Sequence, residues 1–154
     1  MAIEVRTERA ESRRLAAVRS VTTPQDLGET ISRSLGIVWS AIRGHGLRFG
    51  HNVFVYHAGQ PGTLIVEIGV EVIGDFPERG EIQIVQTPPG EVATATYYGD
   101  DYTQMDPVYQ ALGQWCASNG RRPAGVNWEV YGDPAKAPAQ TRTDIYFLLE
   151  SAAG

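Results

Sequence analysis

The chain holds one cysteine, Cys116, in 154 residues. That excludes an internal disulfide framework and suits a reducing compartment. No apolar run approaches the roughly 18 residues that a membrane span requires. The opening MAIEVRTERAESRR is charged where a secretory signal would be apolar. Basic residues are in deficit, with 13 Lys and Arg against 18 Asp and Glu, for a net charge of −5. Arg13-Arg14 and Arg121-Arg122 are isolated pairs and no basic row runs along any element, so nucleic acid is not expected as a direct partner. Catalytic signatures are missing too: there is no G-x-S-x-G, no phosphate-binding glycine loop and no dinucleotide fingerprint. His45, His51 and His57 stand six residues apart with no Cys or paired acid beside them, a spacing that suits no metal-ligand set. No metal or other cofactor is expected. A soluble, cytoplasmic protein remains, whether enzyme, ligand-binding module or protein-interaction module. Its length suits a single domain, 1–154.

What is present is a pattern that occurs twice. An extended stretch over 15–21 leads to Thr23-Pro24-Gln25-Asp26, a capping Thr before a first-turn Pro. Leu27, Ile31, Leu35, Val38 and Ile42 then recur at spacings of 4, 4, 3 and 4, the stripe of a helix that Gly44 and Gly46 end. Strands are expected over 52–57 and 63–72, joined by Ala58-Gly59-Gln60-Pro61-Gly62. The second half keeps this order. A strand over 92–98 precedes a helix from Asp106-Pro107, striped by Met105, Tyr109, Leu112 and Cys116 with Val108 and Trp115 alongside, and closed by Asn119-Gly120. Strands over 126–131 and 141–150 follow, separated by a Gly/Asp/Pro/Ala-rich connection, 132–140. An extra extended piece precedes each half, near 3–6 and 82–86, the second set off by a bend at Thr87-Pro88-Pro89-Gly90.

The residues align as well as the elements. Gly50-His51-Asn52-Val53-Phe54-Val55-Tyr56 matches Gly125-Val126-Asn127-Trp128-Glu129-Val130-Tyr131 at an offset of 75. Ile31, Leu35, Val38 and Ile42 match Met105, Tyr109, Leu112 and Cys116 at an offset of 74, and Glu67 lies 77 before Asp144. An internal repeat of about 3–72 and 82–150 is expected. The fold class is α+β: two pseudo-symmetric strand-helix-strand-strand modules that form an antiparallel sheet with a helix on each half.

Alternation along 126–131 puts Val126, Trp128 and Val130 on one face, suited to lie beneath a helix, and Asn127, Glu129 and Tyr131 on the other. The corresponding residues of the first half are Asn52, Phe54 and Tyr56, so an acid in one half replaces an aromatic ring in the other. Leu64, Val66, Ile68, Val70 and Val72 form an apolar row, which leaves Ile65, Glu67, Gly69 and Glu71 opposite, matched by Arg142, Asp144, Tyr146 and Leu148. The expected second face therefore gathers Phe54, Tyr56, Tyr131 and Tyr146 around Glu67, Glu129 and Asp144. Aromatic walls with a partly desolvated carboxylate suit planar or lipophilic cations. Each residue also has a plainer reading. The aromatics can be ordinary sheet residues, and Glu67, Glu71 and Asp144 solvated rim charges. Trp39 and Trp115, beside their stripes, are either core or caps on a pocket mouth. Trp128 reads as core and Cys116 as a small buried hydrophobe.

The stretches Thr87-Pro88-Pro89-Gly90-Glu91-Val92-Ala93-Thr94-Ala95-Thr96-Tyr97-Tyr98-Gly99 and Pro107-Val108-Tyr109-Gln110-Ala111-Leu112-Gly113-Gln114-Trp115 resemble the GyrI-like small-molecule-binding family. So do Val66-Glu67-Ile68-Gly69-Val70-Glu71-Val72 and Ala124-Gly125-Val126-Asn127-Trp128-Glu129-Val130-Tyr131-Gly132-Asp133-Pro134, in order across 3–150. That family includes the effector-binding domains behind the DNA-binding modules of AraC-type and multidrug-sensing MerR-type regulators. The resemblance implies a ligand groove between the halves, with aromatic walls and an acid at the position of Glu129. It also implies two further possibilities seen among standalone members: hydrolysis of electrophilic cyclopropane compounds by the same acid, and binding to a protein partner, a regulator or DNA gyrase. Gly99-Asp100-Asp101-Tyr102 departs from the pattern by an extra acid before the helix.

The leading expectation is a standalone effector-binding protein for lipophilic, cationic or aromatic compounds. Glu129 would be the anchor, Tyr131, Tyr56, Phe54, Tyr146, Trp39 and Trp115 the walls, and Glu67 a further acid. The alternative is a hydrolase with Glu129 as general base and Tyr131 or Tyr56 orienting the substrate. A third reading is a protein-interaction module.

Overall fold

The computed structural model describes residues 3–46, 48–133 and 141–151; within the connection 132–140, residues 134–140 lie outside them. The described chain is α+β and falls into two compact units, Ser12–Thr87 and the pair of segments Met1–Glu11 and Pro88–Gly154. The first unit contains strand β2 (Arg14–Thr22), helix α1 (Leu27–His45) and strands β3 (Arg48–Ala58), β4 (Leu64–Ile73) and β5 (Ile82–Gln86). The second contains β1 (Arg6–Ala10), β6 (Gly90–Tyr98), α2 (Asp106–Ser118), β7 (Pro123–Tyr131) and β8 (Arg142–Leu149). Strand order is β3-β4-β2-β5 in one unit and β7-β8-β6-β1 in the other, with antiparallel pairing in each. Each unit is thus a strand-helix-strand-strand module with a fourth strand added at the same place. The added strands are exchanged: β1 precedes β2 in the chain yet pairs with β6, and β5 precedes β6 yet pairs with β2.

Three boundaries differ from the sequence reading for local reasons. The first added strand is Arg6–Ala10 rather than 3–6, because its ladder runs from Arg6 opposite Thr94 to Ala10 opposite Gly90; Ile3 and Val5 pack on the α2 core instead. Thr23 does not cap α1. It closes the preceding turn, accepting the Asp26 N–H at its carbonyl (3.1 Å) and at Oγ1 (3.2 Å), and the first helical bond runs from Thr30 N to Asp26 O at 3.0 Å. Gly44 lies inside α1, and Gly46, at φ +62°, ends it in the left-handed conformation that glycine adopts without a Cβ clash.

Each helix buries its stripe on its own sheet. Val38 and Ile42 of α1 pack with Ala16, Val18, Val70, Val72, Phe76 and Ile82. Val108, Leu112 and Cys116 of α2 pack with Ala93, Ala95, Ile145 and Leu149. Burial pushes the Cys116 thiol pKa up, with Arg121 pulling the other way, as expected for a thiol used as a small hydrophobe.

The strand registers then decide which face is which, since directly opposed residues of an antiparallel pair share a face. Glu129 lies opposite Ile145, Asn127 opposite Phe147 and Tyr131 opposite Thr143, so the Glu129 row faces α2. Trp128 lies opposite Tyr146 and Val130 opposite Asp144, on the far face. In the other unit Phe54 lies opposite Ile68 and Tyr56 opposite Val66, on the α1 side, while Val55 lies opposite Glu67. The expected orientation of β3 and β7 is therefore reversed. Phe54, Tyr56, Glu129 and Tyr131 are on the helix sides of their sheets; Glu67, Asp144 and Tyr146 are not. The reason is that the far faces are buried as well: Val53, Val55, Trp128 and Val130 are all at most 6% exposed. A strand buried on both faces carries no alternation that tells one side from the other.

Gly69, at the centre of β4, marks a close approach of chains. A Cβ there would lie 2.4 Å from the Ala16 carbonyl oxygen and 2.8 Å from the Ala17 Cβ, contacts that backbone cannot yield cheaply. Gly69→Ala is expected to cost about 2–3 kcal/mol, read as a lowered urea midpoint at unchanged m-value; an unchanged midpoint would count against this packing.

Candidate functional site

The Glu129 side chain is 5% exposed. A carboxylate this far from water needs donors in place of its hydration shell. Two are phenols. Tyr131, two residues along β7 and hence on the same face, donates to Oε1 at 2.5 Å. Tyr109, from the stripe of α2, donates to Oε2. The Tyr109 ring is itself held against Phe147, with centroids 5.8 Å apart and planes tilted by 45°. The acid is thus gripped from its own strand and from the helix above it, one phenol on each oxygen.

Tyr109 is the residue that the sequence reading left in the core. Its signal lies in the alignment of the two halves of the sequence. At the offset of 74 Tyr109 aligns with Leu35, and at 75 Glu129 aligns with Phe54, while Tyr131 aligns with Tyr56. The acid and its helix-borne donor thus occur together in one half, where the aligned residues of the other half are both apolar. A tyrosine hydroxyl turned inward on a stripe requires a partner, and the substituted acid supplies it.

The other expected site residues are distributed as follows. Trp115 is partly buried against the α2 core. Phe54 and Tyr56 lie on the helix side of their own unit, as does Trp39, whose indole N–H donates to Asn52 Oδ1 at 3.0 Å and whose ring meets Phe49 edge-on at 4.8 Å. Tyr146 stacks on Trp128 on the far face, with centroids 5.6 Å apart and planes within 14°. Glu67, also on a far face, is clasped by His57 at 2.6 Å and Arg19 at 3.3 Å. Asp144 accepts from Thr96 at 2.7 Å and from Arg142 at 2.9 Å. Glu67 and Asp144 therefore already meet protein cations. They do not join Glu129 in one acidic face, and the expectation of a shared face for the three is corrected.

The extra acid before α2 has a local structural use. Asp101 caps the short 3-10 turn Tyr102–Gln104, accepting from Thr103 N at 3.1 Å and Thr103 Oγ1 at 2.6 Å. Among the described residues no group of three or more His, Cys, Asp or Glu is placed to hold a metal ion, and no helix is long and apolar enough to cross a membrane.

Comparison with known proteins places this chain in a family. The GyrI-like small molecule binding domain, as a family model, matches residues 3–150. A search of curated proteins gives no match. In fold the chain is similar to EcmrR in its cryo-EM complex with DNA, with a TM-score of 0.80 at 20% identity over 97% of this chain and 58% of that one. It thus spans little more than half of EcmrR. It is also similar to SAV2435, solved bound to tetraphenylphosphonium (TM-score 0.66, 10% identity, 96% of this chain and 94% of that one). A hydrolase from Listeria innocua follows at a TM-score of 0.58 and 12% identity, over 96% and 92% of the two chains. At these identities the likeness is one of fold, and membership rests on the family match: the chain belongs to the GyrI-like small molecule binding domain family.

Proposed function

We propose that this domain binds lipophilic cations or aromatic compounds, with Glu129 as the charge anchor and the rings of Tyr131, Tyr109 and Phe147 beside it. The observation that carries this reading is a carboxylate only 5% exposed that sits among aromatic rings, with the phenols of Tyr131 and Tyr109 donating to its two oxygens. A negative charge held in a low-dielectric site attracts a cation that can shed its water, and aromatic faces add cation–π and dispersion contact. The tetraphenylphosphonium bound to SAV2435, a protein of the same fold, supports this ligand class. On this reading the chain is a cytoplasmic effector-binding domain, and its two modules descend from one duplicated unit.

Calorimetric titration with tetraphenylphosphonium tests the anchor. Glu129→Gln is expected to weaken binding at least tenfold, about 1.4 kcal/mol, with the fold retained by circular dichroism; equal affinity for both proteins would overturn the role. The clasp itself is tested without ligand. Tyr109→Phe and Tyr131→Phe are each expected to lower stability by about 1–2 kcal/mol in urea unfolding, and no change in either would argue against the two hydrogen bonds.

A further inference from the structure

The two added strands are protected in different ways along their outer edges. A strand at the end of a sheet turns half of its backbone N–H and C=O groups outward, a template for pairing with another chain. β1 carries Arg6, Glu8 and Arg9 among its five residues, with Thr7, Glu8 and Arg9 exposed. β5, which ends the order β3-β4-β2-β5, reads Ile-Gln-Ile-Val-Gln and carries no charge. Such a strand needs cover from elsewhere in the chain.

The ladder decides which groups turn outward. Thr87 N–H donates to Arg13 O at 2.9 Å, one step beyond Gln86 opposite Arg14. Alternation then turns the backbone groups of Gln83 and Val85 to β2, and those of Ile82, Ile84 and Gln86 outward. Arg79 takes both outward groups of Ile82, accepting its N–H at 2.9 Å and donating to its C=O at 3.2 Å. The Glu78 carboxylate accepts the outward N–H of Ile84 at 3.0 Å. This short segment is tied in turn to α1. Phe76 is buried in the α1 core with its ring centroid 5.3 Å from that of His45, Arg79 donates to His45 Nε2 at 2.7 Å, and Glu81 meets Arg33 at 2.8 Å.

We propose that Glu78 and Arg79 are a latch that closes the β5 edge to strand addition, and that the strand it excludes is β5 of a second copy of this chain. The occupant follows from self-complementarity. In an antiparallel pair about a two-fold axis at Ile84, Ile84 lies opposite Ile84 and Ile82 opposite Gln86, so every outward-turned residue meets another. Gln83 lies opposite Val85, and no charge faces a like charge. β1 paired with itself about Glu8 would set Glu8 against Glu8. The latch belongs to the unit of residues 12–87 and is independent of how Glu129 is used.

Amide hydrogen exchange followed by NMR, with sedimentation velocity on the same samples, tests the cap and the pairing together. The full chain is compared with its Glu78→Ala and Glu78→Gln variants, dilute and at about 1 mM. Glu78 is exposed, so these substitutions leave the core intact. In dilute Glu78→Ala the Ile84 amide is expected to exchange at least about tenfold faster than in wild type, with Gln83 and Val85 unchanged as internal references. Glu78→Gln keeps an acceptor oxygen and is expected to stay within about threefold of wild type. At high concentration Glu78→Ala is expected to dimerise with a Kd of about 1 mM or tighter, and its Ile84 amide to slow again, while wild type shows neither change. One strand pair is well short of the roughly 1,200 Å² of a stable interface, which is why the dimer is expected to be weak. An Ile84 amide that exchanges equally slowly in wild type and Glu78→Ala overturns the cap, and one as fast in Glu78→Gln as in Glu78→Ala overturns the hydrogen bond as its basis. Faster exchange in Glu78→Ala without association at about 1 mM overturns the second copy as the excluded strand. Equal association by wild type and Glu78→Ala overturns the latch.

Discussion

A carboxylate removed from water loses hydration worth several kcal/mol unless donors replace it, and the arrangement around Glu129 follows from that constraint. The acid sits on β7 at 5% exposure. The strand can supply one donor on the same face, two residues on, and Tyr131 is that donor. The second has to come from whatever covers the face, and what covers it is α2, so Tyr109 belongs on the helix stripe. The helix stripe in turn is seated by Val108, Leu112 and Cys116 on Ala93, Ala95, Ile145 and Leu149. Core packing of this unit therefore sets the position of one donor, and strand geometry sets the other.

Much of this could be read from the sequence, and the part that could not has a definite cause. The helix stripes of Val38 and Ile42 and of Leu112 and Cys116 are amphipathic, with one apolar side and one wet side, so their period names the buried face directly. Likewise Gln60 and Gly62 signal the β3–β4 turn because turn chemistry is local. The faces of β3 and β7 were not legible. Val53, Val55, Trp128 and Val130 are as buried as the residues turned to the helices, and alternation between two apolar sides gives no direction. Only the ladder, with Glu129 opposite Ile145 and Phe54 opposite Ile68, fixes it.

That reversal moves the chemistry rather than removing it. With Glu67, Asp144 and Tyr146 assigned to far faces, the three acids no longer share an address. The acids on far faces sit in ion pairs: Arg19 is directly opposite Glu67, His57 reaches the same carboxylate, and Asp144 meets Arg142 of its own strand. Such pairs satisfy one another and leave little net field. The carboxylate on the helix side accepts from two tyrosine hydroxyls, one on each oxygen.

The two modules divide these demands. In the unit of residues 12–87 the matching pair, Leu35 and Phe54, is apolar, and an apolar pair beneath a helix contributes burial with no polar group to satisfy. In the other unit the aligned pair is Tyr109 and Glu129, a hydrogen-bonded acid in place of part of that burial. Making the exchange at one position without the other would have been unfavourable in either order. Glu opposite Leu leaves a buried carboxylate short of a donor, and Tyr opposite Phe leaves a hydroxyl short of an acceptor. Under the proposed duplication, one copy retains the apolar solution while the other bears the instability of building a site. On the proposed reading, that paired difference distinguishes the half that holds the site, in a fold whose two units otherwise follow one pattern of strands and helices.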